Sequence, residues 1–81
     1  MFLHLGSKVS VLKKDIIGIF DYNLIKKSRV TKEFLEIAAN EHLIIQEKDV
    51  KKIKSFIVAT GNIYFSPISA DTLQKRVMSY E

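Results

Sequence analysis

SFIVATGNIYFS, residues 55–66, is a pair of runs rich in β-branched and aromatic residues, set on either side of a glycine. Such residues fit a pleated, half-buried surface, so Ser55–Thr60 and Ile63–Ser66 read as strands. Gly61-Asn62 joins them. Glycine supplies the positive φ that a tight two-residue connection needs, and the stretch predicts a β-hairpin. Pro67 ends the second strand, because it has no N–H to give to a ladder. Ser69 then caps a helix from Ala70 to about Ser79. Leu73, Val77 and Tyr80 face inward there, and Gln74, Lys75 and Arg76 face out.

Upstream of the hairpin lies QEKDVKKIK, residues 46–54, polar and charged, and before it the short apolar strand Leu43-Ile44-Ile45. Residues 29 to 41 predict a helix. Val30, Phe34, Ile37 and Ala38, with Leu35, repeat at three- and four-residue spacing, and Glu33, Glu36 and Glu41 lie on the other side. Ser28 or Thr31 is its cap. Residues 21 to 28 read as a polar connection. Ile16 to Phe20 is a third strand, in which Gly18 marks a bulge or a close backbone approach. Residues 8 to 12 alternate as a second strand, with Val9 and Val11 on one face, and residues 2 to 5 form the first. The order is β-β-β-α-β-β-β-α. The connections are too short for parallel crossovers except across the first helix. The fold class is therefore α+β: a curved, mostly antiparallel sheet with two helices, one small domain over residues 1–81.

A domain of 81 residues buries a modest fraction of its surface, yet 47% of this chain is hydrophobic and several segments are apolar on both faces. Part of that surface is expected to lie against another copy, in a homo-oligomer. No stretch approaches the roughly 18–20 apolar residues that span a bilayer. The first residues lack the basic start of a signal peptide. The expectation is a cytoplasmic protein with no membrane partner.

The residue types argue against catalysis. There is no cysteine, so disulfides, thiolate metal sites and cysteine nucleophiles are excluded. His4 sits between two leucines and reads as a half-buried structural histidine. His42 follows a helix, where a cation suits the negative end of the dipole. The two have no metal-ligand spacing. Asp15 lies beside Lys14 and reads as a local salt bridge or turn contact. The three glycines make no phosphate-cradling loop. No enzyme activity, metal, cofactor or small-molecule substrate is expected.

The basic residues are more informative. Net charge is +4. The bases group as Lys13-Lys14; Lys26, Lys27, Arg29 and Lys32; Lys48, Lys51, Lys52 and Lys54; and Lys75-Arg76. Residues 33 to 47 hold four acids and no lysine or arginine. Lysines are point charges that suit phosphate contacts and carry little base information. Charge alone leaves two readings open, solvated loops or a phosphate-binding surface. Several copies around one duplex would multiply weak contacts by avidity.

FLHLGSKVSVLKKDIIGIFD, residues 2–21, and SFIVATGNIYFSPISADTLQKRV, residues 55–77, resemble the RemA/RemB-like family of extracellular matrix regulatory proteins, the RemB branch most closely. The carrying motifs are His4-Leu5-Gly6, Asp15 to Asp21, and Asn62 to Arg76. The resemblance covers nearly the whole chain and is looser in the middle helix and the loop after it. It implies a bacterial DNA-binding transcription regulator, linked to biofilm matrix genes and assembled as a ring-shaped homo-oligomer. It also implies the site. The RemA branch has an arginine just before the third strand, where this chain has Lys13 and Lys14 followed by Asp15, a basic position shifted by one. The family's arginine pair before the hairpin matches Lys51 and Lys52, with Lys54 at a further basic position. Lysine keeps the charge but loses the bidentate fork of arginine, so double-stranded DNA would be held through phosphates.

Two other readings compete. An oligomeric scaffold or protein-interaction module would modulate a regulator without binding DNA itself. An RNA-binding protein would stack bases on Tyr22, Tyr64 or Tyr80, although Tyr64 lies in a hairpin strand and is expected to pack.

Overall fold

A computed structural model describes every residue except 7, 49, 50, 80 and 81. The inward side expected for Tyr80 lies outside the described residues. The elements are β1 (Phe2–His4), β2 (Ser10–Leu12), a 3-10 turn (Lys13–Asp15), β3 (Ile16–Asp21), α1 (Leu24–Lys27), α2 (Arg29–Asn40), β4 (Ile44–Ile45), β5 (Ser55–Ala59), β6 (Asn62–Ser66) and α3 (Ala70–Val77). The class is α+β, as the sequence predicts. Two elements are additional: the 3-10 turn, and the single helical turn α1 within the polar connection of residues 21–28.

The strands form two sheets rather than one. β1 and β2 pair antiparallel as a separate hairpin, with Leu3 opposite Val11. The other four run in the order β3-β5-β6-β4. β5 is antiparallel to β3 and β6, and β4 lies parallel to β6. β3 and β4 therefore point the same way, with α1 and α2 as the crossover between them.

Alternation along β5 divides the core. Ile57 and Ala59 face one side, where they meet Leu3, Leu5 and Val11 of the first hairpin and Leu73 of α3. Tyr64 packs on this cluster, as expected. Phe56 faces the other side with Ile63, against Leu35 and Ala38 of α2. The four-stranded sheet is thus sandwiched between α2 and a layer made of the hairpin and α3. Leu73 and Ile57 are fully buried; a leucine so placed contributes about 1.5–3 kcal/mol.

Local chemistry sets the ends of the elements. The Ser28 hydroxyl accepts from Thr31 N–H at 3.2 Å and starts α2, and the Ser69 hydroxyl accepts from Thr72 N–H at 3.3 Å and starts α3. α2 ends on a left-handed residue, His42, with φ of 59°. His42 N–H and Leu43 N–H donate back to the carbonyls of Ala39 and Ala38. That is the Schellman arrangement, which normally has glycine at this place.

Two expectations about β geometry need correction. The turn of the main hairpin is Thr60-Gly61, and Asn62 pairs with Ala59 inside the ladder. Gly61 has φ of +86°, the sign a type II turn requires at its third residue, so the glycine serves one position later than a primed turn would place it. In β3 the register with β5 shifts between Ile16 and Gly18, which leaves Ile17 as a bulge. Gly18 marks both the bulge and a close approach. A β-carbon there would lie 2.7 Å from the ring of Phe20.

The apolar stripe of α2 is also divided. Leu35 and Ala38 are buried, but Val30, Phe34 and Ile37 are 76%, 46% and 64% exposed. The stripe is wider than one sheet face, and only one flank of it meets this chain's own sheet.

Candidate nucleic-acid interface

Lys51, Lys52 and Lys54 precede β5, and all three are exposed. Their segment is tied to the sheet at its far end. Lys54 N–H donates to the Ser66 carbonyl at 2.9 Å, and the Lys54 carbonyl accepts from Tyr22 N–H at 3.0 Å. The backbone there extends the hydrogen bonding of β5 on both sides by one residue. Ser55, next along, is fully buried, and its hydroxyl donates to the Ile68 carbonyl at 2.6 Å. The sequence falls from exposed lysines to buried strand within two residues. The side chains of Lys51, Lys52 and Lys54 have no hydrogen-bond or ion-pair partner among the described residues. Their charge is uncompensated by direct contact.

Lys13 and Lys14 lie in the 3-10 turn between β2 and β3. Ile16 N–H closes that turn on the Lys13 carbonyl. The Asp15 carbonyl accepts from Thr60 N–H at 2.9 Å, a contact across the sheet rather than the local one expected for Asp15. Lys14 is exposed. Lys13 is half-buried, and its ammonium donates to the Arg76 carbonyl at 3.2 Å. That carbonyl belongs to the last turn of α3, where a cation meets the negative end of the helix dipole and joins the Ser79 hydroxyl, which donates to the same oxygen at 2.9 Å. Lys13 thus has a structural task, and Lys14 is the residue of the pair that faces solvent.

The five lysines do not form one cluster. Lys13 and Lys14 adjoin Ile16, which pairs with Ala59 at the end of β5; Lys54 adjoins Ser55, which pairs with Asp21 at the end of β3. The length of β3 separates them, about 17 Å at the strand rise of 3.3 Å per residue. Two basic patches result. One holds Lys14 beside the exposed Lys75 and Arg76 of α3. The other holds Lys51, Lys52 and Lys54, where the Lys54 carbonyl meets Tyr22 N–H. A cleft of about 530 Å³ opens beside this second patch, lined by Lys52, Lys54, Tyr22, Asn23, Asp21 and Asp71 among others. The Asp21 carboxylate is already used, accepting from Asn23 N–H at 2.8 Å.

His4 is exposed rather than half-buried, because it shares the outer face of β1 with Phe2 while Leu3 turns into the core. Among the described residues no group of three or more His, Asp or Glu could hold a metal ion. No helix is long and apolar enough to cross a membrane. Val30, Phe34 and Ile37, read from periodicity as one apolar helix face, form an exposed apolar surface instead. A groove of about 350 Å³ runs between α2 and β3, lined by Ile17, Phe20, Val30, Phe34, Phe56 and Val58 among others.

The family described as extracellular matrix regulatory protein A-like, or RemA-like, matches residues 2–77. Extracellular matrix regulatory protein B of Bacillus subtilis (strain 168) is 38% identical over 76 residues, which covers 94% of this chain and 89% of that protein.

Proposed function

The chain belongs to the RemA-like family of extracellular matrix regulatory proteins, and on that premise we propose that it is a transcriptional regulator that binds double-stranded DNA as a homo-oligomer. The observation that carries the reading is the set of exposed ammoniums at Lys51, Lys52 and Lys54, unpartnered among the described residues, with Lys54 on backbone bonded to the main sheet. Phosphates are the ligands such groups suit, since each contact releases a condensed counterion and needs no base. Lys14 contributes a second contact from the other end of β3.

Self-association is supported by the uncovered apolar face. Ile17, Val30 and Ile37 are each more than three-fifths exposed and adjoin Phe20 and Phe34. A single chain leaves this surface in water, and a second copy of the same chain would cover it. β3 is the outer strand of its sheet and carries Ile17 and Phe20. Closing copies into a ring would remove that edge. Binding to DNA places the action in the cytoplasm of a bacterium. A family of regulatory proteins supports the reading of a non-enzymatic role.

The experiment is a titration of the purified protein against a labelled duplex at several salt concentrations, beside Lys51→Glu/Lys52→Glu. Binding that weakens steeply with salt and is lost in the variant supports the reading. Equal, weak binding by both proteins favours the scaffold, for which the same apolar face is the relevant surface.

A further inference from the structure

Twelve of the thirteen basic residues fall into four groups along the chain, and Lys8 is the one left over. The fold gives it a place. The Glu47 carboxylate reaches across 39 residues of sequence and accepts from Lys8 N–H at 2.7 Å, and from Val9 N–H at 3.0 Å through the same oxygen. Gly6 makes room for it: a β-carbon on Gly6 would lie 2.6 Å from that oxygen. Glu47 stands immediately before Lys48 and four residues before Lys51. The turn of the first hairpin is therefore pinned to the start of the basic segment, while Lys54 pins its end between Tyr22 and Ser66.

We propose that Glu47 is a positioning residue that brings Lys8 beside Lys48, at the start of the basic group Lys48, Lys51, Lys52 and Lys54, as a further phosphate contact. A carboxylate among lysines ordinarily cancels their charge. Here it accepts from two backbone N–H groups, it is half-buried, and the Lys8 side chain stays exposed. The anchor also holds Lys8 and Glu47 together before a ligand arrives, which lowers the ordering cost of binding. The consequence for affinity rests on the nucleic-acid reading above; the pinning does not.

Two substitutions separate reach from charge. Glu47→Asp keeps the charge and shortens the arm by one methylene. Glu47→Gln keeps the arm and an acceptor oxygen but loses the charge. Positioning predicts that Glu47→Asp weakens duplex binding about threefold, while Glu47→Gln binds at least as tightly as the parent. Charge alone predicts the parent's affinity for Glu47→Asp. Lys8→Ala should reduce the slope of log affinity against log salt by about 1, the mark of one phosphate contact. Gly6→Ala, which displaces the carboxylate, should behave as Glu47→Asp does. Parental binding by Glu47→Asp, or an unchanged slope for Lys8→Ala, overturns the proposal. Amide exchange decides the pinning separately. Lys8 and Val9 should be protected in the parent and in Glu47→Gln and exchange faster in Glu47→Asp. Equal exchange in all three overturns it. A parent that binds no duplex at low salt would instead defeat the nucleic-acid reading, and with it the role given to Lys8.

Discussion

The ring of Phe20 lies over the α-carbon of Gly18, so close that a β-carbon built there would sit 2.7 Å from two ring atoms. The same ring stacks on Phe56, with centroids 5.2 Å apart and planes at 22°. Gly18→Ala must push the ring off this stack. The expected loss is about 1 kcal/mol, the worth of an aromatic pair beyond its buried area. Urea unfolding of Gly18→Ala beside Phe20→Leu measures it. Similar losses in both variants are expected; an unchanged Gly18→Ala would mean that the ring relaxes without cost.

Ser66 joins three segments. It is fully buried opposite Ser55, its hydroxyl donates to the Leu5 carbonyl, and its oxygen accepts from Ile68 N–H at 3.0 Å. Ser66→Ala strands both partners in the interior. A loss of about 1–3 kcal/mol is expected. Ser66→Thr keeps the hydroxyl, so any loss it shows reports crowding instead. Thermal melts of the two variants distinguish the causes.

His42 holds a left-handed backbone that glycine adopts without strain. His42→Gly is expected to stabilise the protein by about 0.5–1 kcal/mol, part of the steric cost being returned as backbone entropy in the unfolded chain. A melting temperature that rises by a few degrees confirms it. A fall would show that the imidazole contributes more than its strain removes.

The uncovered flank of α2 is tested by charge. Val30→Glu/Ile37→Glu alters two side chains that already face solvent, so the monomer should keep its fold. Sedimentation velocity should then show a smaller species than the parent at equal concentration. An unchanged distribution would assign the copy–copy contact to another surface.

Separation of the two basic patches gives a prediction about additivity. Lys14→Ala and Lys51→Ala lie at opposite ends of the β3–β5 pair, far enough apart to act independently. Each should lower the salt slope by about 1, and the double variant by about 2. A double variant no worse than either single one would mean that one patch never touches the duplex.

The parts legible in the sequence were those set by local chemistry. Ser28 and Ser69 cap the helices that their spacing implied, and Gly18 marked both the bulge and the close approach. Gly61 was seen as the turn residue, but its position within the turn depends on which φ values the neighbours adopt, and the hairpin came out one residue early. α1 is a single turn, too short to show a period. The helix stripe could not reveal which flank meets the sheet, since Leu35 and Ile37 are equally apolar. The basic residues were visible as groups along the chain. Their division between two ends of a strand was not, because it follows from β3–β5 pairing. Lys8 was hidden for the same reason, its neighbour Glu47 being distant in sequence.

The first core cluster has an implication for how the chain is made. Leu3, Leu5 and Val11 find their partners in Ile57, Ala59 and Leu73. During synthesis the first hairpin must wait, its leucines unshielded, until nearly the last helix has emerged. Two-stranded hairpins are marginal in water by themselves. A nascent chain stopped short of Leu73 should therefore behave as a sticky, protease-sensitive species, and acquire resistance once Leu73 can pack.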